Sequence, residues 1–297
     1  MNKKELAILQ LADYKEYFEE GASSCYLIVN KNLEEYSCMF GFAQLSEDLE
    51  EVRALFGRVE DRARELGYKN LIGPVNYTTW MSYRWALSGY DTKYYPDCEN
   101  PPYYVDFIKE LGYRELYTYR SAHIDTKNIL FTSGEEIYRQ KEEEGYEFRL
   151  FKGPESYSIA RDIYDVSIDS FQGSLLYSEI PFEVFEEIYL EWTKNIPEIH
   201  VFVAYKDGVA AGYVMSYANP YDPSQYISKT VGVRKAFQKQ KLYVALLYMG
   251  TKFVRELGYD ETVYHFQCEQ RSTFKRYDAD TESGEKRYAV FVKELDT

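Results

Sequence analysis

Three lysines, Lys235, Lys239 and Lys241, precede an apolar helical pattern that begins at Leu242. A helix N-terminus carries partial positive charge, so cations gathered there are unfavourable unless an anion shares the place. The chemistry such a cluster could do is to hold a phosphate, with lysine contacts added to those of the backbone N–H groups. The plain alternative is a set of exposed lysines at a basic helix start, which fights the dipole. Other residue types offer less. The four cysteines, Cys25, Cys38, Cys98 and Cys268, form no C-x-x-C pair, and with His123, His200 and His265 alone no zinc spacing can be built. Cys268 has no basic neighbour in sequence beyond His265, and no Ser/His/Asp set is convincing.

The elements that must position these residues come in two similar sets. Arg64-Glu65-Leu66-Gly67-Tyr68 recurs identically as Arg255-Glu256-Leu257-Gly258-Tyr259. Each copy closes a helical pattern (Leu49, Val52, Leu55, Val59 and Leu66; Leu242, Ala245, Leu246, Phe253 and Leu257) and leads into a short strand-like run, Lys69 to Ile72 and Glu261 to Phe266. A variant, Lys109-Glu110-Leu111-Gly112-Tyr113, ends another helix before a strand from Arg114 to Arg120. From Tyr146 the pattern predicts a strand, a helix around Glu155 to Ser170, a helix after Pro181, and a hairpin of His200 to Tyr205 with Val209 to Tyr217 about the turn Lys206-Asp207-Gly208. A strand from Gln225 to Val233 then runs into the long helix ending at Gly258, followed by a weak helix near Arg271 to Tyr277 and a last strand, Arg287 to Val292. The expected class is α/β (α+β): two domains, 1–125 and 146–297, each a mixed, mostly antiparallel sheet flanked by helices. Residues 126–145 read as a connector, and the charge run Arg139 to Gly145 as a solvated helix face.

Composition narrows the function. In 297 residues, 49 acidic side chains against 35 basic ones give a net charge of −14, which argues against nucleic acid as a partner; it would favour cationic substrates such as amines, while its plain reading is a charge that keeps the chain in solution. The N-terminal segment Met1 to Glu20 reads as an amphipathic helix rather than a signal peptide, and the longest apolar run, Leu242 to Gly250, is too short to span a bilayer. No membrane partner and reduced thiols in the cytoplasm are therefore expected. Tyrosine, at 32 residues, is so abundant that no single tyrosine is notable by position alone.

The C-terminal half resembles the GNAT (GCN5-related N-acetyltransferase) superfamily. The resemblance is carried by Val201-Phe202-Val203-Ala204-Tyr205-Lys206-Asp207-Gly208-Val209-Ala210-Ala211-Gly212-Tyr213, by Thr230-Val231-Gly232-Val233, and by the Gly-Tyr that closes the next helix. The N-terminal half resembles the degenerate second domain of tandem members, through Met39-Phe40-Gly41-Phe42, Ile72-Gly73-Pro74-Val75-Asn76, Thr79-Trp80 with Tyr83-Arg84, and Glu99-Asn100-Pro101-Pro102-Tyr103-Tyr104. Its long helix begins Ser46-Glu47-Asp48-Leu49-Glu50-Glu51, acids that suit a dipole and repel a pyrophosphate.

What the resemblance implies is acyl transfer from acetyl-CoA to the amine of a small molecule or peptide. It implies pantetheine contacts at Val231 and Val233 and a pyrophosphate loop patterned Q/R-x-x-G-x-G/A, here Gln238-Lys239-Gln240-Lys241-Leu242-Tyr243. Both glycine positions are replaced, by Lys241 and Tyr243. Either these side chains block the anion, or Lys239 and Lys241 offset the poorer backbone approach. The resemblance further implies Tyr277 as the acid that reprotonates the thiolate, and Glu269 is the nearest candidate base; no metal is implied. The alternative is a binding module that kept the fold and no longer uses CoA.

Overall fold

The computed structural model describes residues 1–127, 129–196, 198–270 and 286–295. The chain opens with helix α1 (Lys3–Gln10), capped by Asn2 and Glu5, and then turns to strand. The amphipathic helix expected through Glu20 stops early because Tyr14–Glu20 is strand β1, whose aromatic and acidic residues alternate in burial as one face covers the core. It pairs with β2 (Ser23–Val29), which pairs with β3 (Cys38–Gln44). Helix α2 (Leu49–Glu65) returns the chain to β4 (Asn70–Gly73), parallel to β3. The two-residue β5 (Trp85–Ala86), α3 (Pro102–Glu110) and the long β6 (Arg114–Asp125) follow.

The second set begins with α4 (Ile129–Glu143) and β7 (Tyr146–Lys152). The helix expected around Glu155 to Ser170 is broken at Ile159 into α5 (Glu155–Ser158) and α6 (Ala160–Phe171), and α7 is Phe182–Lys194. The hairpin forms as expected, β8 (Ile199–Lys206) with β9 (Val209–Asn219), and β10 (Asp222–Val233), α8 (Leu242–Glu256) and β11 (Glu261–Cys268) follow. The last strand, β12, is Lys286–Glu294; the helix expected near Arg271 to Tyr277 lies outside the described residues.

The repeated Leu-Gly-Tyr stops do the same work three times. Gly67, Gly112 and Gly258 take φ of 86°, 89° and 95°, conformations that favour glycine, and Tyr68, Tyr113 and Tyr259 donate their N–H back to Ala63, Ile108 and Val254. The segment expected as a connector is mostly α4, and it packs as part of the fold. Gly134 lets α4 approach α8 so closely that a Cβ there would lie 2.7 Å from Cβ of Tyr248, and the Tyr138 ring sits 4.8 Å from that of Phe148. The charge run is exposed as expected except for Lys141, which is buried beside Tyr146.

All strands but β5 lie on one path, β1-β2-β3-β4-β12-β6-β11-β10-β9-β8-β7. Two pairs are parallel, β3 with β4 and β10 with β11; the others are antiparallel. Two similar halves meet in the middle, yet each half's last strand lies beside the other half's. β12, the end of the chain, pairs with β4, and β6, from the first half, pairs with β11. Phe291 on β12 is fully buried in the core under α2, 6.3 Å from the Trp85 ring. Because β12 joins both halves by backbone hydrogen bonds, they should unfold together. Phe291→Ala is expected to cost about 3–5 kcal/mol and to lower a single calorimetric transition, whereas two separate transitions would contradict the coupling.

Candidate functional site

The site follows from how the parallel pairs end. β10 and β11 pair at Ile227–Val263 and Ser228–Tyr264 and then part. On the β10 side the register against β9 slips between Ser228 and Thr230, leaving Lys229 as an extra residue. On the β11 side it slips against β6 between Tyr264 and Gln267, and Phe266 takes φ of 60°, a rare conformation for a bulky residue. Val231 and Val233 stay paired to β9, with Val214 and Gly212, while their other edge has no strand partner among the described residues. An open strand edge of this kind can hydrogen-bond an extended ligand.

The first half closes the same place with its own atoms. Beyond Met39–Ile72, Val75 donates its N–H to the carbonyl of Phe40 at 2.9 Å, and Asn76 Oδ1 accepts from the N–H of Phe42 at 2.7 Å. A Cβ on Gly41 would lie 2.3 Å from the carbonyl oxygen of Val75, so the backbones touch where the second half is open. The Gly-Pro-Val-Asn motif is thus a stitch.

The helix starts differ in the same sense. Asp48 caps α2 by accepting from the N–H groups of Glu50 and Glu51, and Glu51 reaches back to the N–H of Ala22 at 2.8 Å. Hydrogen bonds from Ser23 and Ser46 hold the Glu51 carboxyl below its ordinary range. The first half has therefore filled its helix N-terminus with its own carboxylates. The start of α8 has no acid in its first turn and no side-chain cap. Its first N–H groups lack helical partners as at any helix start, and Lys239 and Lys241 stand exposed beside them with no ion pair among the described residues.

The loop keeps a glycine-like backbone without glycine. Lys239 and Lys241 take φ of 63° and 62°, and Lys241 is the left-handed N-cap of α8. Such strain in non-glycine residues persists where surrounding structure holds it. Gln238 and Gln240 hold the loop: Gln238 Nε2 donates to the carbonyl of Val233 at 2.9 Å, while Gln240 donates to Ala236 and accepts from the Tyr146 hydroxyl. Lys235 is tied to α6, its N–H donating to Asp169 at 2.7 Å. Tyr243 packs its ring against the core beside Leu242 and Leu246, so this bulk at a glycine position is carried by the core.

The proton-transfer candidates fare less well. Glu269 accepts two hydrogen bonds from Arg287, at 3.2 and 2.9 Å. Burial raises its proton affinity, but Arg287 and Thr118 outweigh it and the carboxyl sits below its ordinary range. That is a bound carboxylate, poorly suited to take a proton from an amine. Tyr277 lies outside the described residues.

Sequence reasoning missed a buried group behind the cleft. His265 donates from Nε2 to the carbonyl of Pro96 at 2.9 Å, which leaves Nδ1 to accept from Ser121 Oγ at 2.7 Å. Burial, helped by Lys229, pushes its pKa well below the ordinary 6.5 and keeps it neutral. No local pattern marks it, because Ser121 and Pro96 lie far away in sequence.

The comparisons bear on this geometry. The Acetyltransferase (GNAT) family matches residues 160–273, which carry α6 through β11 and the loop before α8. The second half thus carries a GNAT family domain over those residues. A tandem GNAT protein from the clavulanic acid biosynthesis pathway shares the fold over 100% of this chain and 89% of its own, at 12% identity and a TM-score of 0.53. A GCN5-related glucosamine N-acetyltransferase region of a fungal multi-domain GH3 beta-N-acetylglucosaminidase matches 99% of this chain and 35% of its own, at 11% identity and a TM-score of 0.54. No curated protein matches the sequence. The chain as a whole has a mixed sheet flanked by helices. Among its described residues no group of His, Cys, Asp and Glu is placed to hold a metal ion, and no helix is long and apolar enough to cross a membrane.

Two outcomes are expected. Lys241→Gly and Lys241→Ala remove the same charge, but only glycine relaxes the left-handed backbone, so the glycine variant should unfold at a free energy about 1 kcal/mol higher; equal stabilities would show no strain there. His265 is neutral when folded and protonates when unfolded below about 6.5, so stability should fall with pH there by up to about 1.4 kcal/mol per pH unit. In denaturant titrations from pH 7.5 to 5, His265→Gln should show a shallower fall; an identical slope would show that His265 is not held neutral.

Proposed function

We propose that the second half transfers an acyl group from acetyl-CoA to an amine of a small molecule or peptide, in the cytoplasm, while the first half is a non-catalytic GNAT-like unit. On this reading the units are 1–125 and 146–297, joined through 126–145 and exchanging their terminal strands. The observation that carries it is the contrast between the halves. One has filled its helix start and stitched its strands with its own residues; the other keeps both open and sets two lysines in a left-handed backbone at the opening.

The pyrophosphate would lie against the N–H groups that begin α8, with Lys239 and Lys241 replacing by charge what glycine gives by close approach. The pantetheine would run along the open edge at Val231 and Val233 and bring the thioester to the parting of β10 and β11. The neutral amine attacks the thioester carbonyl carbon, the C–S bond breaks, the nitrogen gives up its extra proton to solvent as the amide forms, and the thiolate takes a proton. In this proposal Tyr277 supplies that proton, and Glu269, tied to Arg287, plays a structural part.

Isothermal titration and thermal shift with acetyl-CoA test the reading. A saturable site should raise the melting temperature by mass action, and Lys241→Glu should weaken binding at least about tenfold. No binding at millimolar acetyl-CoA would sink the enzyme reading in favour of a binding module that has lost the cofactor.

A further inference from the structure

Behind the parting of β10 and β11 the two halves bring together cations without acids. Arg84, from the first half, is 4% exposed, and its guanidinium is stacked among the rings of Tyr83, Tyr119 and Phe266 at 3.5, 4.2 and 3.8 Å. Its Nη1 is buried with no hydrogen-bond partner among the described residues. Lys229, the extra residue of β10, turns its ammonium toward the same Phe266 ring at 5.6 Å and toward Trp192 on α7 at 6.0 Å. It has no ion pair among the described residues. Burial and the neighbouring Arg84 push its pKa down to about 8. Trp192 adds a third donor: its Nε1 is also buried without a partner among the described residues.

These groups do not complete one another. The third cation nearby, Lys286, is satisfied by Asp97 at 2.6 Å, which shows that the fold can supply a counter-charge here and does so only for that one. A buried guanidinium, a half-buried ammonium beside it and a buried indole N–H, all without an acceptor among the described residues, are unfavourable together. Phe266 is held in a rare left-handed conformation at the bulge where it meets both cations. Strain and unmatched charge at one cleft point to a missing acceptor-rich partner.

We propose that Arg84, Lys229 and the Trp192 Nε1 form a receptor for a carboxylate, so that the amine acceptor is an amino-carboxylic acid held by its acid end. Arg84 and Lys229 both face the Phe266 ring, and Lys229 also faces Trp192, so the donors of three segments are linked through these two rings, and two cations with an N–H donor suit a carboxylate. The position fits the acceptor side of the proposed acyl transfer: Lys229 stands where β10 and β11 part, so an acid held there leaves the amine toward the thioester. The carboxylate site itself stands without that reading; the naming of the bound molecule as acceptor rests on it. The charge is also local: in a chain of net −14, Arg84 and Lys229 have no acid against them among the described residues.

The test is thermal shift and calorimetric titration of the full chain with N-acetylglycine, its neutral isostere N-acetylglycinamide, and inorganic phosphate. N-acetylglycine should bind and raise the melting temperature, the amide should bind at least about tenfold more weakly, and Lys229→Met and Arg84→Met should each erase the preference. Should Arg84→Met fail to fold, Lys229→Met, at a half-buried position, carries the test alone. Equal binding of acid and amide, no binding of N-acetylglycine, stronger binding of phosphate, or an undiminished preference in Lys229→Met would each overturn the proposal. Carboxylate selection in a protein that ignores acetyl-CoA would uphold the receptor and remove the acyl-transfer reading.

Discussion

Much of this molecule depends on a parallel strand pair that holds for two residues and then separates. Ile227 and Ser228 face Val263 and Tyr264, after which Lys229 bulges from one strand and Phe266 from the other. Parallel pairing ends easily, because its hydrogen bonds are slanted and slightly weaker than antiparallel ones. Once the strands part, the edge at Val231 and Val233 has no neighbouring strand, and the chain beyond it turns sharply through Lys239 and Lys241 into α8. The opening, the strained loop and the paired cations all follow from that parting.

The first half shows what the same plan becomes when the parting is closed. Its parallel pair, β3 with β4, is sewn by the backbone of Val75 and the side chain of Asn76, and its helix start is occupied by Asp48 and Glu51. The N–H groups of Phe42, Glu50 and Glu51 have found acceptors inside the chain. Self-satisfaction of this kind occupies polar groups while keeping architecture, since the strand order and helix placement need the apolar core beneath and not the polar groups above. The first half still matters to the second: it sends β6 beside β11 and contributes Arg84 to the cleft.

Electrostatics act on two scales. The chain's net charge of −14 sets a long-range field that repels an anionic cofactor. At contact distance the balance reverses, because Lys239 and Lys241 at the start of α8 and Arg84 and Lys229 in the cleft have no acids against them among the described residues. Local geometry dominates at such a site, since exposed charges farther away are screened beyond about 8–10 Å.

Local pattern alone determined a good deal. The hairpin about Asp207-Gly208, the three Leu-Gly-Tyr helix stops, α2 and α8, and the superfamily resemblance are written in turn chemistry and helical period, which act over a few neighbouring residues. The replaced loop glycines at 241 and 243 were legible as a conflict, but only the backbone showed that Lys239 and Lys241 keep a glycine-like turn while Tyr243 leans on the core. Tertiary structure alone decided the rest. β1 ends the N-terminal helix because its alternating face finds a sheet to cover, and α4 is part of the fold because Gly134 meets Tyr248. β12 crosses to β4, Glu269 is bound by Arg287, and Arg84 and Lys229, 145 positions apart in sequence, face the same Phe266 ring. Those outcomes rest on contacts between residues far apart in the chain, and no local spacing encodes which distant partner a side chain will meet.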